Sequence, residues 1–175
     1  TSPRARRHAH IDFGLLAGGG TYRESRREES ALAFCCLPFA FPSDPPEVTH
    51  GHVEHNNAWA YLDLRPAPWA TVHLGVSHNA LGGDGGPEVE RGVWKTGLTL
   101  RPWMGSTLRL GVFQGVKGPK YQDQTLEPTQ FAGFTQVFDD LDGTRWQRQA
   151  VGLDQQFAGG ATAGVEWSRR RLDVP

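Results

Sequence analysis

The stretch Ala58-Trp59-Ala60-Tyr61-Leu62-Asp63-Leu64-Arg65-Pro66-Ala67-Pro68-Trp69-Ala70-Thr71-Val72-His73-Leu74-Gly75-Val76 changes character at every second residue. Ala58, Ala60, Leu62 and Leu64 share one face, opposite Asn57, Trp59, Tyr61 and Asp63. After the tight turn at Arg65-Pro66-Ala67-Pro68, Val72, Leu74 and Val76 alternate with Thr71, His73, Gly75 and Ser77. A period of two is the signature of a strand with one apolar and one polar face, so the pattern predicts a hairpin over about 56–80. The same design recurs. Trp94, Thr96, Leu98 and Leu100 oppose Val93, Lys95, Gly97 and Thr99, then Arg101-Pro102-Trp103-Met104-Gly105-Ser106 turns into Leu108, Leu110 and Val112 against Thr107, Arg109 and Gly111. A third hairpin alternates Val151, Leu153, Gln155 and Phe157 with Gly152, Asp154 and Gln156, and returns through Ala161, Ala163, Val165 and Trp167 against Thr162, Gly164, Glu166 and Ser168. Upstream, Ala9, Ile11, Phe13, Leu15 and Ala17 form one more apolar face. The expected fold is all-β, an antiparallel meander of about eight strands.

The composition agrees. Gly 22 and Pro 12 in 175 residues break any long helical stripe, while 10% aromatic residues argue against disorder. Lys+Arg 18 against Asp+Glu 19 gives a net charge of -1, too little field for a general nucleic-acid binder. No apolar run approaches the roughly 20 residues of a membrane helix, and the start Thr1-Ser2-Pro3-Arg4-Ala5-Arg6-Arg7 has neither an initiator Met nor a signal-peptide core. Cys35 and Cys36 are adjacent and cannot easily bridge each other, so no disulfide framework is expected.

The connections come in two sizes: short turns near 65–69, 102–106 and 158–161, and long segments near 20–50, 80–90 and 116–145. Short turns on one side, long loops on the other, an apolar outer face, a polar inner face and aromatic girdles describe an outer-membrane β-barrel. Asp63, His73, Lys95, Arg109, Asp154 and Glu166 fall on the polar face and are expected to face the lumen. Left unpaired, such charges would be costly in the centre of a small sandwich. Trp69, Trp103 and Phe157 beside the short turns fit one aromatic girdle, whereas Trp94, Trp146 and Trp167 do not form a second one cleanly. The alternative is a soluble antiparallel β-sandwich that binds a ligand through the 20–50 and 80–90 loops.

The run Asp123-Gln124-Thr125-Leu126-Glu127-Pro128-Thr129-Gln130-Phe131-Ala132-Gly133-Phe134-Thr135-Gln136-Val137-Phe138-Asp139-Asp140 resembles part of the C-terminal β-barrel region of bacterial tetratricopeptide-repeat outer-membrane proteins. The likeness continues through Val151-Gly152-Leu153-Asp154-Gln155-Gln156-Phe157 and Glu166-Trp167-Ser168-Arg169-Arg170-Arg171. The hairpin from Leu98 to Phe113 is more distantly similar to TonB-dependent receptor barrels. The resemblance covers 92–175 closely and 8–81 loosely. It implies a porin-like, transport-related barrel in the bacterial outer membrane, with the lipid bilayer and the rest of a longer parent barrel as partners. The 34-residue helical period of that family is not visible, and both ends read as internal to a longer chain.

Chemistry-bearing motifs are few. His50-Gly51-His52-Val53-Glu54-His55 is the cluster that could hold a metal, yet on an extended chain His50 and His52 share one face and His55 takes the other. No metal site or other cofactor is expected. Asp84 lies in a glycine loop without the Lys-Ser/Thr of a P-loop, and Asp139-Asp140-Leu141-Asp142-Gly143 lacks the alternating ligands of a calcium loop, which leaves a turn with Asp142-Gly143 at its tip. Ser77 and His78 point to opposite faces and cannot form a nucleophile and base pair. Arg23–Glu29 reads as a solvated loop, and Phe34–Pro42 as an apolar segment that either folds back over the barrel mouth or contacts a partner. No catalytic residue is named and no enzyme is expected; the bound or transported small molecule is not readable.

Overall fold

In the computed structural model the described residues are 12–30, 47–84, 88–118, 126–136 and 139–175. The elements are β1 (Asp12–Ser30), β2 (Glu47–Ala67), β3 (Ala70–Gly83), β4 (Val89–Leu100), β5 (Ser106–Val116), β6 (Gln130–Phe131), β7 (Phe134–Thr135), β8 (Arg145–Gln156) and β9 (Thr162–Asp173). Seven of them form one antiparallel sheet in the order β1-β2-β3-β4-β5-β8-β9, and β6 pairs with β7 as a separate small ribbon. The all-β antiparallel meander is therefore present, with seven strands in the sheet instead of about eight. Among the described residues β1 and β9 each pair on one side only, so the sheet is open.

Strand pairing runs further than the sequence pattern indicates. β1 and β2 stay in register from Asp12↔Arg65 to Ser30↔Glu47, so the loop expected over 20–50 narrows to 31–46, outside the described residues. That pairing places Arg23–Glu29 in a strand and not in a solvated loop, while Cys35, Cys36 and Phe34–Pro42 fall outside the described residues. β3 reaches Gly83 and β4 begins at Val89, which shortens the 80–90 connection as well. Charged and glycine-rich sequence suggests loop, but a ladder of backbone hydrogen bonds tolerates both. At the other end the short turns lie where expected, near Pro68-Trp69, Met104-Gly105 and Ala158-Gly160. Pro66 has no N–H to donate, and the β2–β3 register shifts between Leu64 and Ala67 to accommodate it.

Period-two alternation sorts the sheet into two faces. One is a continuous apolar surface: the hydrogen-bonded row Phe13, Leu64, Val72, Leu98, Leu110, Val151 and Trp167 crosses all seven strands without a polar side chain. Much of it is exposed, including Val76 at 59% and Trp167 at 60%. The opposite face carries the polar residues and is the buried one. The β5–β8 connection folds back over it, so that Phe131 and Phe134 from the β6–β7 ribbon pack against Tyr61, Phe113, Trp146 and Ala150. The ring centroids of Phe113 lie 5.8 Å from Phe131, 6.1 Å from Phe134 and 5.8 Å from Trp146. Burying each such ring stabilises by about 2–3 kcal/mol.

The ribbon turns at Ala132-Gly133, both with positive φ (50° and 78°), the backbone of a type I′ turn. It lands on glycine: a Cβ on Gly97 would lie 2.6 Å from the Ala132 Cβ, and one on Gly111 3.1 Å from the Phe134 ring. Gly97→Val should therefore lift the ribbon and destabilise the fold by about 1–3 kcal/mol. Chemical unfolding reads the loss, and proteolysis within 126–136 should accelerate in parallel.

Candidate functional site

The covered face is a polar surface closed by an inserted segment, and its chemistry starts at Lys95. The row Tyr61↔Gly75↔Lys95↔Phe113↔Arg148 crosses the sheet beneath the β6–β7 ribbon. Gly75 has no side chain, and a Cβ there would meet Tyr61 Cδ1 at 2.6 Å, so the phenol ring lies across β3 towards β4. Lys95, 2% exposed, donates to Tyr61 Oη at 3.0 Å, to Gln136 Oε1 at 2.6 Å and to Glu127 Oε1. The Tyr61 hydroxyl also donates to Glu127. A buried ammonium is tolerated only when paired and hydrogen-bonded, and three acceptors meet that need.

Other sheet residues hold the inserted segment at its edges. Trp59 Nε1 donates to the Leu126 carbonyl at 2.9 Å, Arg109 Nη1 to the Gly133 carbonyl at 2.5 Å, and Arg148 Nη1 to the Thr135 carbonyl at 2.9 Å. The two guanidinium groups also lie against the Phe134 ring, 4.8 Å and 5.9 Å from its centroid. Within the segment, Gln136 donates through Nε2 to the Pro128 carbonyl at 3.0 Å and through its backbone N–H to the Thr129 carbonyl at 2.7 Å. The ends of the connection are clipped by backbone bonds between Lys117 and Thr144 and between Gly143 and Lys117, with Lys117 Nζ 3.0 Å from Asp142. Asp142-Gly143 is the turn expected there, Gly143 having φ 84°.

All six polar residues expected on one face share this one, and each has a partner. His73 Nδ1 lies 2.7 Å from Asp63 Oδ1 and its Nε2 2.9 Å from Thr99 Oγ1. Arg109 reaches Asp154 at 2.8 Å and Glu166 at 3.9 Å, and Glu166 accepts from Arg148. Trp69, Trp103 and Phe157 are exposed at the short-turn edge. The histidines of 50–55 separate as parity requires: His55 is buried on the covered face, with its ring 3.1 Å from Asn79 Oδ1, while His52 lies on the other face 3.9 Å from Glu54; the His50 side chain is outside the described residues.

Glu127, Gln136, Phe131, Phe134 and Arg148 were not singled out from sequence. Phe-Ala-Gly-Phe does carry a signal, an X-Gly turn between two aromatics, and Arg148 shares the parity of Asp154. Nothing local marks Glu127 or Gln136, because what they meet lies on a strand more than thirty residues earlier.

Two spaces remain beside the inserted segment. A chamber of about 60 Å³ is lined by His55, Asn57, Asn79, Lys95, Glu127 and Gln136 among others. Asn79 Oδ1 accepts from Asn57 at 2.7 Å and from His55 Nε2, which leaves His55 Nδ1, Asn57 Oδ1 and Asn79 Nδ2 without a hydrogen-bond partner among the described residues. That lining of two acceptors and one donor suits water or one small hydroxylic solute. A wider groove of about 420 Å³ runs between Leu16, Tyr61, Asp63 and His73 and the ribbon at Phe131–Gly133.

No protein-family model matches this chain, and no curated protein or solved structure does so either.

The Lys95–Glu127 pair gives a direct test of how the segment is held. Lys95→Met should cost about 2–4 kcal/mol because it removes the ammonium that pairs with the Glu127 carboxylate, and Lys95→Met/Glu127→Gln should recover a large part of that loss. Urea unfolding midpoints of the two single variants and the double variant measure the coupling.

Proposed function

We propose that the chain is a section of a bacterial outer-membrane β-barrel, structural or transport-related, with Leu126–Gln136 lodged in its lumen as a plug. The observation that carries this reading is the reversed burial of the sheet. Lys95, Arg148, His55 and Asn79 are buried, while Leu74, Val76, Trp94, Val151, Leu153, Val165 and Trp167 are exposed. In water that arrangement leaves the wrong face bare; in a bilayer each face has its solvent.

The border of the apolar face supports the same reading. On that face Ser106 and Gln155 pair beside the short turns and Thr96 interrupts β4. Beyond these, moving from the short turns, the next polar residues are Asn56 on β2, His78 on β3, Glu90 on β4, Gln114 on β5, Gln149 on β8 and Arg169 on β9. In hydrogen-bond register Gln149 and Arg169 lie level with Leu62, six residues nearer the turns than Asn56. At about 3.3 Å per residue and about 4.8 Å per strand, six residues over five strand steps is a slope of roughly 40°. Barrel strands tilt by about 35–45° to the axis, so a border of this slope lies level in the membrane plane. Past the border, β1 and β2 continue as a polar hairpin arm, with Arg23–Glu54 at 3.1 Å and Thr21–Asn56 at 2.6 Å across it. In the barrel reading Trp69, Trp103 and Phe157 sit at the opposite interface, and the likeness of 92–175 to tetratricopeptide-repeat outer-membrane barrels points the same way.

Refolding with and without detergent micelles or vesicles tests the proposal. A β spectrum and a dispersed species only with detergent or lipid is the expected result, and a folded monomer in plain buffer overturns it in favour of a soluble sandwich. In vesicles, single-tryptophan variants retaining Trp94 or Trp167 should be quenched by brominated acyl chains, whereas one retaining Trp146 should not. Leu98→Arg, in the middle of the apolar row, should cost about 2–4 kcal/mol in the bilayer.

A further inference from the structure

Three consecutive arginines on β9 are divided by strand parity. Arg170 faces the covered side and is held by Asp140 through two bonds of 3.0 Å. Arg169 and Arg171 face the other way, opposite Gln149 and Gln147 of β8. These four side chains line a shallow polar concavity of about 160 Å³. Neither Arg169 nor Arg171 has an ion-pair partner among the described residues. The nearest acid on that face, Asp173, lies 3.7 Å from Arg145 at the far end. Towards the short turns the next residues on the face are Val151 and Trp167, then Leu153 and Val165, all exposed. The site thus stands on the sloping border itself.

We propose that Arg169 and Arg171 bind the phosphate of an anionic lipid headgroup whose acyl chains lie along Val151, Leu153, Val165 and Trp167. The inference rests on the barrel reading, since only a membrane brings such a lipid to this border. Two arginines two residues apart on one strand, about 6.6 Å between Cα atoms, can converge their guanidinium groups on a single phosphate. Each presents a planar fork of donors that matches phosphate oxygens, which a lone ammonium does not. The Gln147 and Gln149 amides, about 5 Å across the ladder, add neutral donors that fix the headgroup without competing for its charge. With two cations and no free acid beside them, the patch is complementary to an anion; with an apolar surface directly adjoining, it is complementary to an anion that carries a hydrocarbon tail.

The test uses the full chain in two vesicle types, phosphatidylcholine alone and phosphatidylcholine mixed with phosphatidic acid. The readout is quenching of a variant that retains Trp167 by brominated phosphatidic acid against brominated phosphatidylcholine. The unmodified border is expected to prefer phosphatidic acid by about tenfold or more, the factor that charge-assisted hydrogen bonds of about 1.5 kcal/mol supply. Arg169→Gln/Arg171→Gln should abolish the preference while inserting normally into phosphatidylcholine, and Arg101→Gln at the short-turn end should keep it. Insertion without a preference, or a preference that survives the double variant, overturns the site and leaves the barrel reading standing. Full competition by added inorganic phosphate overturns the lipid assignment in favour of a free-anion site. Failure to insert into either vesicle overturns the barrel reading and the site together.

Discussion

An ammonium group in the middle of a sheet face, 2% exposed, dictates what lies above it. Within its own sheet Lys95 finds one acceptor, the Tyr61 hydroxyl, and reaches it only because Gly75 leaves the intervening strand bare. The remaining acceptors, Glu127 and Gln136, belong to the connection between β5 and β8. The connection must therefore return across the face it has just left, and once there it brings Phe131 and Phe134 into contact with Phe113 and Tyr61. Charge pairing and aromatic packing support each other. The ammonium lies 5.3 Å from the Tyr61 ring centroid, and the Phe131 and Phe134 rings belong to the same segment as the residues that satisfy the lysine.

The cost of that arrangement is borne on the other face. A seven-stranded sheet has two surfaces to cover, and here the inserted segment covers the polar one. Among the described residues nothing forms a layer over the apolar row from Phe13 to Trp167. In the barrel reading hydrocarbon covers this face without further protein, and it does so at one particular inclination. On β2 the apolar run Ala58–Ala67 is about 30 Å long, and tilted at roughly 40° it stands about 23 Å tall, close to the apolar band of about 25 Å that outer-membrane barrels present.

Sequence alone made the strands legible, because a period of two is imposed by the backbone and survives any substitution that keeps polarity. Val72, Leu74 and Val76 against Thr71, His73 and Gly75 marked both the strand and its faces. Parity likewise assembled Asp63, His73, Lys95, Arg109, Asp154 and Glu166 onto one surface, where each has a partner. Loop lengths were less legible: Arg23–Glu29 is charged and polar, yet the long β1–β2 ladder carries it in strand form. Least legible was the inserted segment. Its anchors are long-range pairs such as Trp59 with Leu126 and Lys95 with Glu127, and no local pattern encodes a partner so distant in the chain.

In the barrel reading, the way the covered face spends its charges limits what can pass through this section. Lys95, Arg109, Arg148 and Lys117 all hold the β5–β8 connection or its clip, through Glu127, the Gly133 and Thr135 carbonyls and Asp142. Lifting the segment would strand several buried charges at once, a far larger penalty than opening a loop held by a single pair. A solute crossing here has an easier course beside the segment than through it. The groove between Phe131–Gly133 and the Leu16, Tyr61, Asp63 and His73 side chains lies on that course. Its floor is a carboxylate bonded to an imidazole at 2.7 Å, so the passage offers polar partners that are already compensated and pulls no charge out of place. The inserted segment then acts as a fixed wall that narrows the lumen towards β1–β3, and selectivity in this section falls to the Asp63–His73 pair and the rim of Leu16.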